Sequence, residues 1–364
     1  MKFVDEFQNS ELGRNMARRI RQTAKRPLRL MEFCGTHTVS ILRHGIRQVL
    51  PPNLEMLSGP GCPVCVTANA DLDRAIALAG QPDVIMTTFG DMMKVPGSRS
   101  SLQQARAEGA DIRVVYASQD ALSIARDNPA KKVVFLGIGF ETTAPTIAAT
   151  VLEAERQQLG NFYLFSRLKV CPPVMKALLD LGEVKLDGII CPGHVSVVIG
   201  SHPYEFIPRD YDIGCVISGF EPLDILQTVA MLVAQVQEGR PRVEIAYRRG
   251  VKPEGNSLAL RVLYQVFETG AANWRGIGEV PGSGLRLRGE FARFDAEKVL
   301  PVTIPPPHEP KGCRCGEILR GVRTPGDCPL FGKACTPEQP QGPCMVSSEG
   351  TCAAHYRYGG AIPG

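Results

Sequence analysis

Short apolar runs and longer amphipathic stretches alternate along most of this chain. Apolar runs predict strands over 28–33, 83–88, 112–116 and 133–138. Helical spacing predicts helices over 39–50, 71–79, 102–107, 121–126 and 145–157. The rhythm then restarts, with strands at 161–168, 188–191, 215–218 and 243–247 and helices at 173–181, 223–237 and 257–268. Strands that alternate with helices build parallel sheets. The expectation is an α/β protein with two similar, doubly wound parallel-sheet lobes, residues 1–158 and 159–304. Gly139-Phe140-Glu141 and Gly219-Phe220-Glu221 each close a strand and precede a proline and a helix, which supports a likeness between the lobes. Residues 274–293 read as irregular or short-stranded, and the prolines of 305–310 as a stiff linker. Beyond them, 311–364 hold too little apolar material to fold without a metal or cross-links.

The 364 residues are 44% hydrophobic, ample for such cores. The longest apolar run, 133–140, is far too short to span a bilayer. The charged N-terminal stretch 1–20 lacks the apolar segment of a secretion signal. A cytoplasmic protein without membrane association is expected. Net charge is +4, and the basic run from Arg14 to Arg29 carries no interleaved aromatics. It reads as a solvated helix face or a docking patch for an acidic protein, with no nucleic-acid partner expected.

The twelve cysteines add chemistry. Cytosolic chains seldom concentrate thiols unless they hold metal or move electrons. Cys34, in Phe33-Cys34-Gly35-Thr36-His37-Thr38, follows a predicted strand. It suits a soft metal such as iron, a nucleophile with His37 as base, or a small buried hydrophobe. Cys62 and Cys65 form a C-x-x-C pair on a Gly-Pro-Gly turn. That spacing serves a dithiol/disulfide switch or half of a zinc site. In the tail, the spacing of Cys313, Cys328, Cys335 and Cys352 leaves Cys315 and Cys344 over; four of these six thiols can hold zinc or a [4Fe-4S] cluster, and spacing alone does not decide which four. His194, on the turn Pro192-Gly193-His194, is a proton carrier, an anion donor or a structural residue. Glu141 and Glu221 accept protons or cap helices, and for Glu221 the structural role is favoured. These motifs lie near predicted strand ends, where ligands of open parallel sheets bind, and are expected to converge on one cleft between the lobes.

Taken in order, the segments 33–38, 59–65, 139–145, 192–196, 219–224 and the cysteine array 313–352 resemble the HypD family of [NiFe]-hydrogenase maturation scaffolds, over nearly the whole chain. The resemblance implies two α/β lobes and a small C-terminal iron–sulfur domain within 305–364. It implies that Cys34 ligates iron shared with a cysteine of the chaperone HypC, and that Cys62 and Cys65 are the redox-active pair. Cys313, Cys328, Cys335 and Cys352 would hold a [4Fe-4S] cluster, in a setting similar to that of ferredoxin:thioredoxin reductase. The cargo would be an Fe(CN)2CO unit, with cyanide arriving from HypE, supplied by HypF, and the unit passing to the hydrogenase large subunit. His37, His194 and Glu141 are expected to orient or protonate groups in the cleft. A [4Fe-4S]-dependent protein disulfide reductase is the competing expectation.

Overall fold

The computed structural model describes residues 10–360. The first nine residues of the charged N-terminal stretch and the last four of the tail lie outside the described residues. The strands are β1 (Leu28–Glu32), β2 (Leu54–Ser58), β3 (Val84–Thr88), β4 (Asp111–Val114), β5 (Lys132–Gly139) and β6 (Phe162–Leu168). They continue with β7 (Gly188–Cys191), β8 (Gly214–Ile217), β9 (Val243–Ile245), β10 (Phe267–Trp274) and β11 (Gly278–Leu287). Two parallel sheets result, in the orders β2-β1-β7-β8-β9 and β4-β3-β5-β6, with β10 and β11 as an antiparallel hairpin. The expected α/β class with two parallel-sheet lobes is what the chain forms.

Strand pairing cuts across the expected division at residue 158. Leu30 of β1 pairs with Met56 on one side and with Gly188 on the other, so the first sheet takes strands from both halves of the chain. The second sheet is built from the segment between them. Apolar periodicity marks a segment as a strand but carries no record of its neighbour. The repeated Gly-Phe-Glu segments still fall one to each sheet, after β5 and β8. Each sheet reverses its winding once, between β1 and β7 and between β3 and β5. Such reversals open a crevice beyond the carboxyl ends of the strands.

Three further departures have local causes. The expected helix 39–50 is two, Gly35–Arg43 and Ile46–Val49, because Gly45 between them is left-handed (φ 62°). The stretch 274–293, expected to be irregular or short-stranded, holds the 10-residue strand β11 and its hairpin turn. β2 escaped the reading because its five residues follow two prolines and are too few to show a period.

The helix Ser10–Thr23 packs against Pro222–Glu238 over the outer face of the first sheet. Helices Asp120–Asp127, Ala144–Arg156 and Ser257–Val266 cover the outer face of the second. Between the sheets runs one continuous core that includes Met31, Cys65, Met86, Val134 and Ile189. The tail joins it through Cys315, Ile318 and Met345. The proline linker is fastened, with Asn69 donating to the His308 carbonyl at 2.6 Å and the His308 amide donating to Ser98 Oγ at 2.9 Å. Among the described residues, no helix is long and apolar enough to cross a membrane.

Candidate functional site

The turn carrying Cys34 and the loop carrying Cys62 are bonded to each other. Cys34 is the N-cap of Gly35–Arg43, directly after β1, and is 6% exposed. The Gly35 amide donates to the Gly61 carbonyl at 3.1 Å, and the Gly59 amide donates to the Glu32 carbonyl at 2.8 Å. A Cβ on Gly61 would stand 2.3 Å from the Cys34 nitrogen, so only glycine permits this approach. Cys62 and Cys65 form a disulfide buried behind that contact.

Glu32, which the sequence reading overlooked, lies beneath Cys34 and is 1% exposed. Its carboxyl accepts the Cys34 amide at 2.9 Å and the Thr38 hydroxyl. Burial pushes this carboxyl up to about 8, against the hydrogen bonds from Thr38 and Cys34 that pull it down. Burial first, and then the Glu349 carboxylate, push the Cys34 thiol up to about 12. The helix N-terminus therefore does not make Cys34 a thiolate by itself; desolvation dominates the dipole.

His37 is wholly buried, and neither ring nitrogen has a hydrogen-bond partner among the described residues. Burial and the neighbouring His194 push it down to about 4, so it is neutral at pH 7. Phe220 connects the histidines, with centroids 5.1 Å from His37 and 3.8 Å from the exposed His194. His194 follows β7, and Phe220 follows β8. Cys34, His37 and His194 thus meet at the β1/β7 reversal. Glu221 is the N-cap of Pro222–Glu238, its amide donating to Asp224 at 3.1 Å, a structural role.

Glu141 belongs to the other sheet's loop. One carboxylate oxygen accepts the Cys171 amide at 2.8 Å, at the start of the helix Cys171–Leu181. The other has no partner among the described residues. Burial pushes the carboxyl up to about 7. Glu141 therefore caps a helix distant in sequence, and among the described residues it makes no hydrogen bond to Cys34 or the histidines.

All six tail cysteines line one small apolar pocket with Ile318, Leu330, Phe331 and Met345. Cys315 and Cys344 stand sulfur to sulfur at 2.8 Å. Cys65 Sγ lies 3.9 Å from the carbonyl oxygen of Pro343, the residue before Cys344. Thr36 donates to Glu349 at 2.6 Å, and the helix Thr351–Tyr358 packs on Gly35–Arg43. The tail thus closes over both the C-x-x-C pair and the Cys34 helix. Among the described residues, no three His, Cys, Asp or Glu side chains are placed to hold a single metal ion.

A family model named HypD, described as "Hydrogenase formation hypA family", matches residues 11–359. This chain belongs to the HypD family. It is 47% identical to the hydrogenase maturation factor HypD2 of Bradyrhizobium diazoefficiens, over 99% of this chain and 97% of that one. It is 49% identical to the hydrogenase maturation factor HypD of Azotobacter vinelandii, over 99% of this chain and 97% of that one. With the HypD of Escherichia coli it shares 45% identity over 98% of each chain. For this HypD-family member the sequence reading missed Glu32, Glu349, Phe220 and the Cys315–Cys344 contact. A carboxylate two residues before Cys34 is a signal that was open to notice. The other three depend on segments brought together only by the fold.

Proposed function

We propose that this protein is a redox-active scaffold on which the Fe(CN)2CO unit of a [NiFe]-hydrogenase is assembled, with iron held by Cys34 and electrons supplied by Cys62 and Cys65. The observation that carries this reading is the Gly35–Gly61 hydrogen bond, which fixes the iron-binding turn against the dithiol loop. Membership of a hydrogenase maturation family supports the same reading.

The iron is cargo, shared in this reading with a cysteine of a HypC-type chaperone. Cyanide comes as a thiocyanate on a HypE-type protein supplied by HypF, and the finished unit leaves for the hydrogenase large subunit through HypC. The work is placed in the cytoplasm, where thiols stay reduced. Splitting R–S–C≡N at its S–C bond yields a thiolate and cyanide only if two electrons are added. Reduced Cys62 and Cys65 supply both as their disulfide forms, releasing two protons, one of which the carrier thiolate takes. The cyanide carbon bonds to iron and never enters solvent. Incoming iron must displace the Cys34 proton, because burial otherwise keeps that thiol protonated. Neutral His37 can accept a proton beside it, and His194 is placed at the mouth to donate to a bound anion. Glu141, at about 7, is poised to exchange protons from its own loop.

Six thiols around one apolar pocket fit a [4Fe-4S] cluster by donor chemistry, with Cys313, Cys328, Cys335 and Cys352 as ligands, and such a group supplies electrons singly when bound. Cys315 and Cys344 would remain free of it, beside Pro343 and hence beside Cys65.

The test is infrared spectroscopy of the complex with HypC, purified without oxygen. Cys34→Ala should abolish the Fe(CN)2CO bands, and their persistence would sink the assignment. The adjacent Cys315–Cys344 and Cys62–Cys65 pairs favour a second reading, a protein disulfide reductase. Turnover of a general disulfide substrate without HypC, unaffected by Cys34→Ala, would establish that reading instead.

A further inference from the structure

Away from the cysteines, a cleft of about 570 Å³ opens beyond the carboxyl end of β6. Its walls are residues 166–169, the first turns of the helix Asn69–Ala79, the β10–β11 hairpin and the segment carrying Asp295, Glu297 and Lys298. In parallel sheets this is the end at which ligands bind, and the volume lies in the range of small-molecule sites.

Lys169 lines the cleft and is 2% exposed. Its amide donates to the Gly139 carbonyl at 3.0 Å, but among the described residues its ammonium makes no hydrogen bond or ion pair. Its ammonium lies 5.6 Å from the Trp274 ring centroid. The acids on the nearest wall are already engaged. Arg167 pairs with Asp71 at 2.8 Å and with Glu297 at 2.5 Å. A structural lysine this buried ordinarily has a carboxylate of its own. Burial lowers Lys169 to about 8, so it remains mainly charged at neutral pH. Arg286, exposed on the hairpin, adds positive charge to the same cleft, and half-buried Arg74 is paired with Asp71 at 3.7 Å.

We propose that this cleft binds a phosphate-bearing small molecule, its phosphate held by Lys169 and Arg286. Several cations around one opening suit a dianion better than a single carboxylate. The space beyond the phosphate, edged by Glu268 and Asn273, can accept and donate hydrogen bonds to hydroxyl or amino groups.

Inorganic phosphate is the probe, titrated into the full-length protein by calorimetry at low and physiological salt. Wild type should bind it saturably, with acetate, as a single-carboxylate control, clearly weaker. Lys169→Met should weaken phosphate binding about tenfold or more, the loss of one charge-assisted contact, and Arg286→Ala a few-fold. Arg209→Ala, an exposed cation outside the cleft, should change nothing. If Lys169→Met fails to fold, Arg286→Ala decides, because that side chain lies outside the core. Absence of saturable phosphate binding, equal binding of acetate, or unchanged binding in the cleft variants would each overturn the proposal.

Discussion

Cys344 stands 2.8 Å from Cys315, sulfur to sulfur, and neither belongs to the four cysteines proposed above as cluster ligands. Both are buried on the wall of the same pocket as that set. Cys344→Ser should leave the iron and acid-labile sulfide content of anaerobically purified protein unchanged, whereas Cys328→Ser should lower it sharply. The reverse pattern would move Cys344 into the ligand set.

The bond between Gly35 and Gly61 makes position 61 intolerant of any side chain. A Cβ there meets the Cys34 nitrogen at 2.3 Å and the Phe33 carbonyl carbon at 2.6 Å. Both are backbone atoms and cannot rotate away. Gly61→Ala should cost about 3 kcal/mol in urea denaturation, the upper end for overpacking. It should also separate the two motifs, so that iron loading with HypC falls even in the fraction that folds. A variant of wild-type stability would contradict the described approach.

Glu141 gives stability a pH signature. Its carboxyl titrates near 7 in the folded chain against 4.5 as a free side chain, so the folded state binds its proton more tightly. Its contribution is complete below about pH 4.5 and is lost as pH rises through about 7. The total is roughly 3 kcal/mol. Glu32 titrates in a neighbouring range, so the useful quantity is the difference between wild type and Glu141→Gln. Unfolding free energies measured from pH 5 to 8 should fall more steeply for wild type, and parallel curves would refute the assignment.

Arg275 is 3% exposed and ties three segments together. It donates to the Thr67 carbonyl at 3.0 Å, to the Asn69 side chain, and to Glu309 at 2.7 Å. Arg275→Met strands the Thr67 and Asn69 acceptors in the interior and should cost about 2–4 kcal/mol. Glu309→Gln, at an exposed carboxylate, should cost under about 1 kcal/mol. Chemical denaturation of both variants separates these outcomes.

The local pattern made most strands and helices legible, since burial of one face imposes its period directly on the residues. Gly188–Cys191 was read to the residue, and Pro222–Glu238 nearly so, because proline opens that helix and a left-handed Gly239 closes it. The motif cysteines were visible for the same reason, as short segments with their own spacing. What escaped depends on long-range pairing. The placement of β1 beside β7 cannot be inferred from either segment alone. Nor can the meeting of Thr36 with Glu349, 313 positions apart. Nor can the raised proton affinity of the Cys34 thiol, which comes from desolvation in the finished interior.

The insertion of β1 between β2 and β7 has a consequence for biosynthesis. A nascent polypeptide leaves the ribosome amino end first. The four strands β3 to β6 can assemble as soon as Leu168 is out. β1 and β2 emerge earlier, yet must wait for the stretch 188–245 before their sheet is whole. The turn bearing Cys34 therefore reaches its final packing only after the middle of the molecule has been made.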